Sequence, residues 1–217
     1  ALSLAIAYEY PHVASYLIAQ GCNVNPFELD VTLDNNLSPM SPLMLAAERG
    51  YENLVVALLP EGEVDYQDGD GWTALHIASF EGHTSVVETL IEFGASSHML
   101  DYDGMSALML AAMKGHCDTI VSLINCGCSI DDVNDETGDT ALHCAAKAGK
   151  SGAVAILIAF GADMDVMNFG QQTAKDLASL HNHSKTVLVL SKVFTQFKKK
   201  AKLLNHLSSM KKLLTLT

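Results

Sequence analysis

The sequence predicts an all-α repeat solenoid of about six helix-turn-helix units, counting partial or capping ends, joined by short β-hairpins. Three observations predict it. A glycine that follows an apolar helix recurs at Gly21, Gly62, Gly94, Gly127 and Gly161, in steps of 41, 32, 33 and 34 residues. Each lies 19 residues beyond a leucine: Leu2, Leu43, Leu75, Leu108 or Leu142. Four of those leucines stand in similar segments: Ser-Pro-Leu-Met-Leu-Ala-Ala (41–47), Thr-Ala-Leu-His-Ile-Ala-Ser (73–79), Ser-Ala-Leu-Met-Leu-Ala-Ala (106–112) and Thr-Ala-Leu-His-Cys-Ala-Ala (140–146). A weaker copy, Thr-Ala-Lys-Asp-Leu-Ala-Ser, spans 173–179. Units of this length cannot bury a core alone and share one when stacked.

Each element has a physical reason. Ser41, Thr73, Ser106, Thr140 and Thr173 stand where a helix must begin, and their hydroxyls can satisfy the orphan N–H groups of its first turn. The alanine pairs keep this first helix thin, so neighbouring units approach closely. Gly50, Gly82, Gly115 and Gly149 end it in a left-handed position, and Asn182, the usual substitute, takes that place in the last copy. Pro11 falls at the start of a second helix, where no N–H is needed. Leu58-Leu59, Leu90-Ile91, Leu123-Ile124 and Leu157-Ile158 form the inward side of the second helices. Asp70-Gly71, Asp103-Gly104 and Thr137-Gly138 mark hairpin turns. The units fall at about 1–25, 36–67, 68–100, 101–133, 134–167 and 168–190, with an insertion at 26–35 that predicts a long finger loop. The hairpin after Gly62 is one residue short, and the one after Gly127 one long. In the last copy Gly170 comes a residue early and Lys175 replaces the leucine, as expected of a terminal cap.

This pattern resembles the ankyrin repeat family, whose motif runs D-x-x-G-x-T-P-L-H-x-A-A, then G-H, then an apolar helix ending in G-A-D-V-N. The resemblance covers roughly residues 1–190. It implies binding through the hairpin tips and the exposed face of the first helix. In this chain those positions are Asp70, Trp72, Phe80 and Glu81, then Tyr102, Asp103, Met105, Met113 and Lys114, then Asp139 and Lys147. Trp72, Phe80, Tyr102, Met105 and Met113 would form an apolar, aromatic cluster over two adjacent repeats. Such residue types are enriched at interface cores, and Met adapts to varied apolar shapes. Asp70, Glu81, Asp103 and Asp139 would be its acidic rim. The expected ligand is a peptide with an apolar residue near Arg or Lys; the competing reading is that some of these rings merely pack against the adjacent hairpin.

Composition bounds the function. The chain has 217 residues, 13 basic against 25 acidic, for a net charge of −12. Apolar residues make up 49%, enough for a sizeable core, while aromatics are only 6%, which suits many small helix contacts. From Lys192 onward there are seven lysines and no acid, so residues 1–191 carry 6 − 25 = −19. That acidity argues against nucleic acid as a ligand and for a basic partner surface. The longest apolar run, Ala153 to Phe160, has eight residues, against the roughly 20 that span a bilayer. The first residues carry no basic run, so no secretory leader is expected, and the start at Ala1 inside an apolar helical pattern predicts a longer parent protein. Five cysteines without regular spacing (Cys22, Cys117, Cys126, Cys128, Cys144) predict a reducing compartment, the cytoplasm or the nucleus.

No catalytic, metal or cofactor site is expected. Cys126-Gly-Cys128 has no second pair to complete a zinc site. Asp65, Asp68 and Asp70 before Gly71 fail the calcium-loop pattern, because Tyr66 and Ile77 take its first and twelfth positions. The same failure holds at Asp101-Tyr102-Asp103-Gly104. His76 and His143 fall at the T-x-L-H position and read as structural histidines bonded within their turn, as do His83 and His116 after their glycines. Asn25, eight residues after Leu17, resembles the asparaginyl hydroxylation site of ankyrin repeats; the competing reading, which the turn chemistry favours, is a hairpin Asn capping its own turn. Residues 191–217 form a predicted basic amphipathic helix, with Lys198, Lys199, Lys200, Lys202, Lys211 and Lys212 as its charges. It is a cap on the last repeat, an arm for an anionic membrane surface or partner groove, or a sequence appended to the natural chain. Two function classes follow: a non-catalytic interaction module binding another protein through its concave face, or a regulatory arm of a larger enzyme or channel.

Overall fold

The computed structural model describes residues 1–24, 40–60 and 62–192. The insertion at 26–35, Asn25 and the six lysines of the tail from Lys198 to Lys212 lie outside the described residues. Eleven helices have both ends described: α1 (Leu2–Ala7), α2 (Pro11–Ala19), α3 (Pro42–Glu48), α4 (Glu52–Leu58), α5 (Ala74–Glu81), α6 (Thr84–Glu92), α7 (Ala107–Lys114), α8 (Cys117–Asn125), α9 (Ala141–Lys147), α10 (Ser151–Ala159) and α11 (Ala174–Leu180). A further helical segment runs over 184–192. The helices pair within units, α1 with α2 through to α9 with α10. Odd-numbered helices then stack on each other in one layer and even-numbered helices in a second. The chain is an all-α repeat solenoid, and its core is one elongated cluster from Leu2 to Leu190.

The helix starts follow the expected chemistry with varied partners. The Ser41 hydroxyl accepts from the Met44 amide at 3.1 Å, and the Ser106 hydroxyl from Met109 at 3.3 Å. In α5 the cap is reciprocal: the His76 amide donates to Thr73 Oγ1 at 3.3 Å, and the Thr73 amide donates to His76 Nδ1 at 3.1 Å. The Pro11 ring opens α2. The second helices bury Leu58, Leu90, Leu123 and Leu157, with Ile91 and Ile124 half-buried beside them.

The glycines that close the first helices answer two demands at once. Gly82 has φ +81°, and a Cβ there would stand 2.5 Å from the His116 ring of the next unit. His83 lies over Gly50 and His183 over Gly149 in the same way. Each of these rings reaches back to a carbonyl at the end of the preceding first helix. His83 Nε2 bonds to Glu48 O at 2.9 Å, His116 Nε2 to Phe80 O at 2.9 Å and His183 Nε2 to Lys147 O at 3.0 Å. A carbonyl only accepts, so Nε2 carries the proton in each case. These histidines are structural, but they tie neighbouring units together instead of bonding within their own turn. Asn182 takes the last left-handed position at φ +60°, and Glu9 takes the first at φ +64°.

The hairpins differ from expectation. Among the described residues no extended strand forms; two isolated antiparallel bridges, Leu100 with Ser106 and Val133 with Thr140, mark their place. The reason is local. Asp68 Oδ1 accepts the amides of Asp70 and Trp72 at 3.0 and 2.9 Å, and Asp101 Oδ1 those of Asp103 and Met105 at 3.0 and 2.7 Å. Asn134 and Asn168 repeat the role, so side chains take N–H groups that a ladder would use. In the last unit the early Gly170 does not supply the left-handed residue: Gln171 adopts φ +57° at the place held by Gly71, Gly104 and Gly138.

Candidate functional site

Two rows of side chains line a groove along the first-helix layer. The residue before each helix cap contributes one row, Trp72, Met105 and Asp139; the helix end contributes the other, Phe80, Met113 and Lys147. Equivalent positions in consecutive units are apolar, apolar, then charged. A cavity of about 460 Å³ opens between the rows, lined by Trp72, Met105 and Met113. Asp103, Asp139 and Lys147 of the expected site line it too.

Trp72 is set rigidly. Its amide donates to Asp68 Oδ1 at 2.9 Å, its carbonyl accepts from the Asp68 amide at 3.0 Å, and its ring meets Phe80 edge-on at 5.1 Å between centroids. Lys114 Nζ sits 3.8 Å from the Phe80 centroid, close enough for a cation–π contact. Phe80 and Lys114 therefore support the Trp72 end without lining the cavity.

Four expected site residues behave differently. Tyr102 does not join the apolar cluster. It caps the preceding hairpin: its amide donates to Asp70 O at 3.1 Å, its ring occupies the space a Cβ of Gly71 would need, and it remains 66% exposed. Phe169 repeats this arrangement on Gly138. Asp139 is no free rim acid. It is 6% exposed, and its Oδ1 accepts from Asn168 Nδ2 of the next hairpin at 2.7 Å. Asp70 and Glu81 are exposed and line no part of the cavity.

The groove also has walls the motif reading did not name: Asp101, Leu110, Asn134, Glu136, Thr137 and Cys144. The signal for Asp101 and Asn134 was present, since an Asp or Asn recurs at the start of each hairpin. Burial pushes the Asp101 carboxyl above its ordinary value, against the opposing pull of the Met105 amide and His76. Burial also pushes the Cys144 thiol up to about 12, so it stays protonated at neutral pH. Cys128 behaves likewise, pushed up to about 11. Asp68 and Asp101, whose surroundings fail the calcium-loop pattern, hold turn amides.

His76 and His143 extend beyond their own turns. Nδ1 accepts from the cap threonine, and Nε2 donates to the next hairpin, to Met99 O and Gln172 O, each at 3.1 Å. Burial holds His76 below the usual histidine range. Both its nitrogens are committed in the neutral form, and a second proton would face the Thr73 N–H.

Comparison with known proteins agrees with this architecture. A family model described as ankyrin repeats (3 copies) matches residues 2–101, 43–133 and 108–201. The chain is 43% identical over 127 residues, 58% of its length, to transient receptor potential cation channel subfamily A member 1 of Drosophila melanogaster, of which it covers 10%. The Homo sapiens channel of the same name is 39% identical over 59 residues, covering 27% of this chain and 5% of the channel. SH3 and multiple ankyrin repeat domains protein 2 of Homo sapiens is 30% identical over 168 residues, 75% of this chain and 9% of that protein. The chain thus spans at most a tenth of each of these relatives.

Proposed function

Since the chain belongs to the ankyrin repeat family, whose repeats generally mediate protein–protein interaction, we propose that it is a non-catalytic module that binds a segment of another protein in the groove between Trp72 and Lys147. The observation that carries this reading is the sequence of wall chemistries, from Trp72 through Met105 and Met113 to carboxylates. Trp and Met supply adaptable apolar contact, and desolvated aromatic anchors dominate binding energy at interfaces. Asp103 and Glu136, exposed, and Asp101 and Asp139, buried and already hydrogen-bonded, line the cavity against the single cation Lys147, a formal excess of 4 − 1 = 3 negative charges. A segment with an apolar residue beside Arg or Lys meets both demands. The cysteines are free thiols, which supports placing the module in the cytoplasm or nucleus.

Trp72 is the single tryptophan of the chain and so reports occupancy directly. Short synthetic peptides bearing one Leu or Met between Arg residues should shift its emission to the blue, and Met113→Ala should weaken that response. If no such peptide moves the emission, and a Trp72→Ala/Met113→Ala variant still captures every partner that the unaltered chain captures from lysate, the reading is wrong.

A second reading rests on the channel relatives. In it the same module is the regulatory arm of a larger channel, and the groove receives another part of that protein. Mapping the coding transcript beyond both ends tests it: a run of membrane-spanning segments supports the arm, and its absence from the full transcript removes it.

A further inference from the structure

We infer that the resident occupant of the groove is the chain's own C-terminal segment, residues 193–217, held there in cis until a partner displaces it. This rests on the groove being a binding site and names what fills it.

The segment's chemistry is read from its sequence. It holds six lysines and no acid, interleaved with Phe194, Phe197, Leu203, Leu207, Met210 and Leu214. So much apolar side chain needs a surface to cover it, and the lysines need anions nearby. The groove supplies both: the Trp72, Met105 and Met113 wall, and three more carboxylates than cations. The competing surface is the end unit. There Leu180 and Leu188 are exposed, but residues 168–192 contain Lys175, Lys185 and Lys192 against Asp176 alone, a net 3 − 1 = +2. A segment of charge +6 is repelled by the end unit and attracted by the groove.

Reach is sufficient. The 217 − 192 = 25 residues beyond the last described one extend up to about 80 Å. The centre of the groove lies two stacking steps back from the end unit, at about 10 Å per step. A tether of this length also raises the effective concentration, so a contact too weak to form between molecules forms within one. The partner proposed above must compete with this occupant, and the groove is open to it only after displacement.

The experiment compares the full chain with a full-length variant carrying Lys198→Glu, Lys199→Glu, Lys200→Glu and Lys202→Glu, read by acrylamide quenching of Trp72. The variant should quench roughly twofold more, as expected if a fully desolvating cover is removed from an anchor residue. Salt at about 1 M, where the Debye length falls to about 3 Å, should raise quenching in the unaltered chain and not in the variant. A synthetic peptide of residues 193–217, added at the roughly millimolar concentration that such a tether supplies, should restore protection to the variant. Protection in the unaltered chain should not change on dilution, as a contact in cis requires. Equal quenching in the two proteins overturns the proposal, and equal quenching with a lowered melting temperature in the variant assigns the segment to capping the end unit. Protection lost on dilution overturns the cis contact. If the segment proves indifferent while the short Leu/Arg peptides still shift Trp72 in a Met113-dependent way, this inference fails and the groove reading stands. If neither moves Trp72, both fail.

Discussion

The interior units over 68–167 and the C-terminal unit over 168–192 are built on one sequence frame and use it differently. Inside, each frame position faces a successor. Gly82 lies under His116, Gly71 under Tyr102 and Gly138 under Phe169. His76 and His143 each close a helix cap and reach the next hairpin. In the last unit Asn182 and Gln171 stand at left-handed positions, and Asp176 replaces the cap histidine. Asp176 is exposed, and its Oδ2 takes the Thr173 amide at 2.9 Å and the Thr173 hydroxyl at 2.7 Å. The difference separates two demands that the frame conceals. The helix cap and the left-handed turn are local needs that several residues meet. Glycine and histidine are required where a neighbouring unit adds a second demand, of space for the one and of a second hydrogen bond for the other.

The sharpest way to break this comparison is to put the same change in both regions. Gly82→Ala should cost about 2–3 kcal/mol, from left-handed strain plus displacement of the bonded His116 ring. Asn182→Ala should cost about 1 kcal/mol or less, being a local strain alone. Urea unfolding of both variants measures the gap, and equal costs would dissolve the distinction. Next in size, His76→Met converts an interior cap to the form seen at Met44 and Met109. It should cost about 1–3 kcal/mol, because the buried Met99 carbonyl loses its donor.

The two caps should also respond to acid in separate ranges. His76 is held below its ordinary 6.5 in the folded chain by burial, against the pull of Asp101. The unfolded chain therefore takes up the proton first, and the contribution of His76 is complete above about 6.5 and lost as pH falls toward its folded value. Asp176 is held below its ordinary 3.8 by the Thr173 hydroxyl and amide. Its contribution is complete above 3.8 and lost as pH falls below that toward its folded value. Melting temperature against pH should show the first loss vanish in His76→Met and the second in Asp176→Ala. The smallest effect expected is a gain. Gln171→Gly relieves about 1–2 kcal/mol of left-handed strain and adds roughly 0.5–1 kcal/mol of backbone entropy cost, for a net stabilisation of about 0.5–1 kcal/mol. A loss of stability there would mean that the Gln171 side chain makes a contact worth more than the strain.

Much of the fold was legible because its causes repeat. Ser41, Thr73, Ser106 and Thr173 cap helices for a reason confined to one turn, and the leucines at 19-residue spacing from the glycines mark where units meet. The candidate groove was legible in part. Trp72, Met105, Met113, Asp103 and Lys147 line the cavity together. Tyr102 stands outside the cavity, and its residue type alone does not show this: a Tyr suits an interface and a hairpin cap equally, and only the position of Gly71 beneath it shows the cap. The bond of Asp139 to Asn168 is not legible in sequence, because nothing within its own unit shows Asn168 approaching from the next hairpin. Gln171 was hidden for another reason. Glycine is the ordinary occupant of a left-handed turn position, and Gly170 stands one residue away from the φ that the turn imposes.

Periodicity, helix starts, left-handed closures and the opposed charges of body and tail follow from the order of residues alone. Each depends on groups within a turn or two of one another, or on a sum over the chain that needs no geometry. The walls of the groove, the ties of His83, His116 and His183 to the preceding unit, and the second hydrogen bonds of His76 and His143 came into view only with the units stacked. These partners lie 23 to 36 residues apart in the chain. A contact of that span is set by how one unit seats on the next, and the repeat states that units stack without stating which atoms then meet.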